Sequence, residues 1–335
     1  MPAFNRMIGK PSTVHISITD RCNLHCRMCD IWKGSPRSHT QMELSAERWI
    51  QLIDEMRSWL GPFNLKIAGG EPLLKEGVLD ILSHAHDLDI FTGISTNAYL
   101  IDKNMAQKLL SSGLDEIHIS LYSTDPKIHD TLRNSEGSYS RVIQAIDHLK
   151  RYSTNDDAKR RSKIKINIAT VINSMNIDTL QGLVSFTEDN DLHSINFQPL
   201  FQNFGSEPQD GWHLKSDLWP HDKAYQDKLD KVIPFLISKR KNDYIVGNKV
   251  GQLEAIRRYF KDPEQKTNIR CKAGTKDIAF DPYGNMLLCF SLPPVGNIQH
   301  TSAEKIWNSS IAQKRRSDIM VCKKRCNLLN CNFEG

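Results

Sequence analysis

Val14-His-Ile-Ser-Ile18-Thr-Asp-Arg-Cys22-Asn-Leu-His-Cys26-Arg-Met-Cys29 joins a short alternating apolar run to three cysteines within eight residues. The alternation reads as a half-buried β-strand. The cysteines follow at spacings of three and then two residues, so one loop at the end of that strand supplies three thiolates. Iron–sulfur clusters are held by cysteine thiolates, usually four. A trio with no fourth cysteine nearby describes a 4Fe–4S cluster with one iron open to another ligand. A structural zinc knot or three buried thiols are the alternatives. Zinc sites generally take four protein ligands and favour CxxC pairs.

Strand patterns recur at Asn64–Ala68, Ile90–Ser95, Glu116–Leu121, Lys163–Ala169 and Ser194–Leu200. Most are separated by stretches of helical periodicity, such as Ser45–Leu60 and Ser140–Tyr152. Strand–helix alternation implies parallel strands with right-handed crossovers. Six units predict an α/β fold, a partial (β/α)6 TIM-like barrel, over residues 1–204. In such barrels the chemistry lies at the C-terminal ends of the strands, where the trio falls.

Residues 205–268 change character. An irregular stretch (Gly205-Ser-Glu-Pro, Gly211-Trp, Trp219-Pro) precedes helical periodicity from Tyr225 through Phe260. This reads as a bridging, mainly helical segment that helps to cover a substrate, with Trp212, His213, Trp219 and His221 as contact candidates. Residues 269–335 hold the other five cysteines: Cys271, Cys289, Cys322, Cys326 and Cys331. Asp281-Pro-Tyr-Gly-Asn285 between two apolar runs reads as a β-hairpin that brings Cys271 and Cys289 together. A module this small with little apolar periodicity is expected to rely on metal for stability.

The trio, as CxxxCxΦC with Met28 at Φ, resembles the radical S-adenosylmethionine (AdoMet) superfamily. The resemblance implies that AdoMet chelates the open iron through its amino and carboxylate groups. Electron transfer from the reduced cluster then gives methionine and a 5′-deoxyadenosyl radical. Gly69-Gly70-Glu71 after the second strand matches the family's motif for the AdoMet amino group. Ser95, Asn97 and Ser120 at strand ends match ribose or methionine contacts, and Arg133 a partner of the AdoMet carboxylate; Asn173 and Asn176 are further candidates. The family often carries Asp-Gly shortly after that serine, and Leu121-Tyr122-Ser123 departs from it.

The tract Gly296-Asn-Ile, followed by Ser302 to Ser309, is similar to the connecting segment of SPASM and twitch domains. A full SPASM domain carries seven cysteines and two clusters. Five cysteines here imply a small C-terminal iron–sulfur (twitch/SPASM-like) domain with one auxiliary 4Fe–4S cluster. Its expected ligands are the hairpin pair and two of Cys322, Cys326 and Cys331, the first two favoured. A zinc ribbon is the alternative for this set.

The resemblance implies hydrogen abstraction from a small molecule or peptide, completed as an oxidation (dehydrogenation or crosslink) with help from the auxiliary cluster. A reducing donor such as flavodoxin or ferredoxin is the expected partner. An epimerase or deoxygenase drawing on a spare thiol, and a non-catalytic zinc-binding or redox-sensing protein, remain alternatives. The chain begins about a dozen residues before the first strand, which leans toward a small molecule.

Composition bounds these readings. Hydrophobic residues at 39% and charged residues at 25% fit a globular chain. No run approaches the roughly 18 apolar residues of a membrane span, and the N-terminus lacks an apolar signal core. A cytoplasmic location is expected, which disfavours four disulfides. The net charge of +5, densest at Lys159-Arg160-Arg161, is far below a nucleic-acid binder's basic stripe.

Overall fold

The computed structural model describes residues 9–33, 42–153, 164–202, 209–264, 270–322, 325–328 and 333–334. Six strands run parallel in chain order: β1 (Thr13–Ser17), β2 (Asn64–Ala68), β3 (Phe91–Thr96), β4 (Glu116–Ser120), β5 (Lys165–Ile172) and β6 (Ser194–Pro199). One face of each strand is aliphatic. Val14, Ile16, Leu65, Ile67, Ile94, Ile117, Ile119 and Ile168 are all buried against the outer helices. Successive side chains point to opposite faces of a strand, so His15, Lys66, Ser95, His118, Ser120 and Asn167 share the other face. The fold is thus a helix-covered parallel sheet with a polar concave side.

The covering helices are α1 (Ala46–Leu60), α2 (Val78–Asp87), α3 (Lys103–Ser111), α4 (Pro126–Arg133), α5 (Ser138–Ser153) and α6 (Leu180–Asp189). In α1 the N-cap Ser45 accepts a hydrogen bond from the Arg48 amide, and Gly61 closes the helix at φ +78°. Its buried stripe is Trp49, Leu52, Ile53 and Met56, each at most 1% exposed. Full burial of such a side chain contributes about 1.5–3 kcal/mol.

Among the described residues β6 does not pair with β1, so the barrel stays open. Both edges are extended by later parts of the chain. The bridging segment contributes α7 (Trp212–Lys215), α8 (Lys223–Asn242) and α9 (Val250–Lys261). The single helical periodicity expected from Tyr225 to Phe260 is broken between Asn242 and Val250. There Val246 bridges Ile195 in parallel, with Ile195 N–H donating to Ile245 O and Gly247 N–H to Ile195 O. A side chain at Gly247 would collide with Asn196, which is why glycine stands at this crossing.

The remaining elements are β7 (Arg270–Cys271), β8 (Asp277–Phe280), β9 (Asn285–Leu287), β10 (Gly296–Asn297), α10 (Ala303–Trp307), α11 (Ser310–Met320) and β11 (Phe333–Glu334). The expected hairpin is β8–β9, and it is not detached from the barrel. β8 runs parallel to β1, Thr13 opposite Asp277 and Ile16 opposite Phe280, giving one sheet ordered β10-β9-β8-β1-β2-β3-β4-β5-β6. The apolar Ile278, Phe280 and Met286 are buried by that addition. A hairpin alone is marginal in water; docking on β1 supplies the missing neighbour. Gly205-Ser-Glu-Pro, Lys159-Arg160-Arg161, Lys163 and Cys331 lie outside the described residues.

Candidate active site

At the C-terminal end of β1 the chain is tied down before it reaches the cysteines. The Glu43 carboxylate accepts from Thr19 Oγ1 (2.7 Å) and the Asp20 amide (2.9 Å), and Lys75 Nζ lies 3.3 Å from its other oxygen. Burial alone would raise the Glu43 pKa, but these bonds and the Lys75 charge hold it below the usual carboxylate range. The end of β2 is laced to the same loop: Gly70 N–H donates to Thr19 O (2.7 Å) and Glu71 N–H to Arg21 O (2.8 Å). A Cβ at Gly70 would stand 2.2 Å from Arg21 O, and one at Gly69 2.5 Å from Thr19 O. The two glycines therefore let two backbones touch, as well as forming part of a cavity wall.

That cavity holds about 220 Å³ and is open on one side. Cys22, Cys26, Cys29 and Met28 line it, together with Gly69, Gly70, Ser95, Asn97, Ser120 and Arg133. Glu71 does not line it among the described residues. Its carboxylate is fully buried and accepts from Thr96 Oγ1 (2.8 Å), Asn97 N–H (2.8 Å) and Leu73 N–H (3.1 Å). Burial raises the Glu71 pKa against those hydrogen bonds. Asn97 Nδ2 in turn donates to Asn23 Oδ1 (2.9 Å) and lies 3.9 Å from Cys22 Sγ. Glu71 thus fixes the strand end that presents Asn97 to the cysteine loop.

Arg133 closes the other wall from the last turn of α4. Its Nη1 donates to Cys26 Sγ (3.5 Å), its Nη2 to Ser120 O (2.6 Å), and its guanidinium lies 4.4 Å from the Tyr122 ring centroid. Arg133 Nε is buried without a partner. His129, one turn earlier, accepts from Tyr122 N–H (3.2 Å). Burial, then the Arg133 charge, pushes its pKa down to about 3, so the imidazole is neutral. Burial pushes Tyr122 up to about 12, keeping the phenol protonated.

The donor set fits an iron–sulfur cluster. Burial raises the Cys22 thiol and pushes Cys29 up to about 11. Three thiolates in this setting need more positive charge than Arg133 supplies, and bound iron provides it. Among the described residues no three Cys, His, Asp or Glu side chains close around a single ion. A tetrahedral zinc site with bonds of about 2.3 Å needs such convergence; thiolates that each bind a separate iron stand farther apart.

Asn173 and Asn176 are fully buried but line no part of the cavity. Asn176 Nδ2 donates to Tyr122 O (2.8 Å) and Val171 O (2.9 Å), sealing the loop after β5. Trp219 packs edge-on or tilted against Trp212, His213, Tyr259 and Phe260 in an aromatic cluster, and His221 Nε2 bonds Ser216 O. None of the four lines the cavity. Lining residues that sequence reasoning missed include Trp32, Tyr122, Gln198 and Phe201. Tyr122 was marked only as a departure from the family's pattern, although its place just past β4 was the available signal.

The second thiol group gathers at the other end of β1. Cys271 precedes β8 and Cys289 follows β9, both at the end where Thr13 begins. Burial, then the neighbouring Cys289 and Cys322, raises the Cys271 thiol, and burial, then Cys289 with Cys271 and Cys322, pushes Cys326 up to about 11, so the four thiols lie near one another. Ser291 joins two of them: its N–H donates to Cys289 Sγ (3.4 Å) and its Oγ lies 3.9 Å from Cys326 Sγ. None of these four lines the large cavity.

Comparison with known proteins agrees with this geometry. Residues 16–186 match the Radical SAM superfamily model, and residues 271–332 match an iron–sulfur cluster-binding domain. A GTP 3′,8-cyclase of Limosilactobacillus fermentum is 34% identical over 191 residues, 56% of this chain and 54% of that protein. The chain therefore spans about half the length of that relative. A PqqA peptide cyclase of Granulibacter bethesdensis is 26% identical over 143 residues, 43% of this chain and 37% of that one. Among solved structures, native anSMEcpe with bound AdoMet and Cp18Cys peptide superposes with a TM-score of 0.67 at 18% identity, covering 97% of this chain and 89% of that chain. That likeness extends the shared fold over nearly the whole molecule. A radical SAM model matched over half the chain, on a barrel whose first strand ends in the three cysteines, makes this chain a member of the radical SAM superfamily.

Proposed function

We propose that this radical SAM enzyme oxidises a peptide side chain or another uncharged small molecule, drawing on one auxiliary cluster at the C-terminal cysteines. Cys22, Cys26 and Cys29 would hold the first 4Fe–4S cluster; Arg133, Asn97 and Ser120 would contact AdoMet. When bound, these cofactors supply a 5′-deoxyadenosyl radical able to take a hydrogen atom from an unactivated C–H bond.

This chain's own residues do the rest. Leu24, Met28, Val171, Leu200 and Phe201 make the cavity wall largely apolar, excluding water from a reactive site. Tyr122 and His129 stay neutral, so Arg133 is the cation facing the thiols. The observation that carries the reading is the separation of the two thiol groups along β1. Thr13 to Ser17 spans about 13 Å at ~3.3 Å per residue, which places the second group away from the substrate. That arrangement supports a role in moving electrons. It gives no support to hydrogen-atom donation by a spare thiol, because none of the described C-terminal thiols lines the cavity.

The charge inventory bears on substrate. Arg133 is the one Lys or Arg among the described lining residues. A nucleoside triphosphate would need several cations, so an uncharged group fits better, in line with the peptide-cyclase likeness. The test is to incubate reduced, reconstituted protein with AdoMet and either candidate peptides or GTP. The expected result is 5′-deoxyadenosine that rises with a peptide, which loses two hydrogens by mass spectrometry. A rise with GTP alone would overturn the substrate reading.

A further inference from the structure

The cavity has two walls of unlike chemistry. The ends of β1 to β4, with Arg133, carry every residue matched above to the first cluster or to AdoMet. The ends of β5 and β6 supply Val171, Gln198, Pro199, Leu200 and Phe201. Gln198 is the one polar side chain among these described residues, and its carboxamide has no hydrogen-bond partner among them or elsewhere in the described chain. On the facing wall Thr96 Oγ1 is bonded to Glu71, Asn97 Nδ2 to Asn23, and Ser120 to Tyr122. Ser95 is unpartnered too, but it stands on the wall matched to AdoMet.

The sheet register locates Gln198. Ser120 lies opposite Ala169, and Val171 opposite Gln198. Gln198 is thus two strands and one same-face step from Ser120, roughly 12 Å along the sheet at about 4.8 Å per strand and about 6.7 Å per step. That separation puts it beyond a ribose held at Ser120. The strand is pinned at this point. Asn248, 1% exposed, donates from Nδ2 to Phe197 O (2.8 Å) and accepts from Phe197 N–H (2.7 Å), and Tyr259 Oη donates to Leu200 O (3.1 Å). A recognition group on a rigid element gives up little order when it binds.

A carboxamide offers an acceptor oxygen and two N–H donors in one plane, without charge. Its complement is a group that donates and accepts at once, and a peptide amide is such a group. A carboxylate or phosphate would set like charge against the Gln198 oxygen. Val171, Leu200 and Phe201 alongside favour an apolar side chain next to that amide. We infer that Gln198 is the specificity-determining residue of the cavity, pairing with a substrate amide through both its oxygen and its N–H. This role deepens the peptide reading above and rests on it. A substrate analogue without the amide N–H leaves the Gln198 oxygen unpaired, and one such bond is worth about two- to tenfold in affinity.

The experiment measures binding of N-acetyl-leucine N-methylamide and of its methyl ester to anaerobic holoprotein with AdoMet present, by saturation-transfer NMR. Parent, Q198M (similar in size, without the carboxamide) and Q198E (acceptor oxygen kept) are compared. The parent should bind the amide about two- to tenfold more tightly than the ester. Q198M should bind the two alike, and Q198E should restore the preference. The readout is a ratio, so a general loosening of the cavity does not imitate it. Equal binding of the two probes by the parent, or a preference that survives in Q198M, would overturn the assignment and leave the peptide reading standing. A tenfold loss of AdoMet affinity in Q198M, read by calorimetry, would also overturn it by moving Gln198 to the AdoMet wall. The 5′-deoxyadenosine assay with peptides or GTP tests the underlying reading by itself. A parent that binds neither probe and responds to GTP alone would overturn both.

Discussion

Replacing Gly70 by alanine should displace the loop that carries the first three cysteines. The added Cβ would stand 2.2 Å from Arg21 O, 2.7 Å from Arg21 C and 2.9 Å from Asp20 O. All three are backbone atoms, so no rotamer relieves the clash. Restoring ordinary contact at about 3.5 Å moves the Arg21 carbonyl, one residue before Cys22, by roughly 1 Å. Overpacking of this kind costs about 1–3 kcal/mol. Loosening the Gly70–Thr19 and Glu71–Arg21 hydrogen bonds adds about 0.5–1.5 kcal/mol each. The sum, roughly 2–6 kcal/mol, takes much of a typical stability of about 5–15 kcal/mol but leaves a fold to assay. A misplacement of about 1 Å at a reacting centre lowers rates on the order of a hundredfold. Anaerobic iron and sulfide content should fall, and dithionite-driven 5′-deoxyadenosine should drop by about that factor. Gly61→Ala is the control: its φ is +78° with nothing within 4 Å of a new Cβ, so backbone strain is introduced at the C-terminal end of α1, away from the site. Parent-like iron content and turnover in Gly70→Ala would refute the reasoning.

Further outcomes follow from other contacts. Arg133→Lys loses the fork that joins Cys26 Sγ to Ser120 O over Tyr122. AdoMet binding, read by calorimetry, should weaken about tenfold or more with cluster content retained, since Lys cannot reproduce a guanidinium's paired donors; unchanged affinity would remove Arg133 from the AdoMet site. Cys289→Ser should lower iron content by roughly half if each thiol group holds one cluster, while AdoMet cleavage continues and oxidised product declines. Glu116 sits between Lys66 and His118. Burial alone would raise its pKa, but the His118 and Lys66 contacts bring it down to about 2. A depressed carboxylate contributes stability that is present above its unfolded value and lost as pH falls through the folded one. Glu116→Gln should therefore melt lower near pH 5, by at most about 3 kcal/mol, and the difference should shrink as pH falls below about 4.5. A difference that widens in acid would contradict this.

The barrel was legible because its strands carry their signal locally. Asn64–Ala68 was read with both ends correct, and the helical periodicity over Ser45–Leu60 matches α1 within one residue. The cysteine trio was legible for the same reason: all three ligands lie on one loop. What could not be read were pairings between distant segments. Nothing in Asp277–Phe280 says that it will lie beside Thr13–Ser17 rather than form a free hairpin. Nothing in Ile245–Gly247 marks it as an edge partner for Ile195, except the glycine that the Asn196 side chain demands. The glycines at 69 and 70 were read as room for a ligand; their tightest neighbours are backbone atoms of residues 18–21. Glu71 was read as a ligand contact, and its carboxylate is engaged by Thr96, Asn97 and Leu73. Trp219 was one of four contact candidates because an exposed and a packed indole are alike in sequence; here it packs against Tyr259 and Phe260.

On the proposed function, Cys22, Cys26 and Cys29 seat a cluster on which AdoMet is cleaved. The most direct measurement is 5′-deoxyadenosine released by anaerobically reconstituted protein given AdoMet and dithionite, beside the Cys22→Ala/Cys26→Ala/Cys29→Ala protein. The parent should release it over many minutes, and the triple variant, with its C-terminal thiols intact, should release none. Equal yields from both, or none from an iron-loaded parent, would contradict the account.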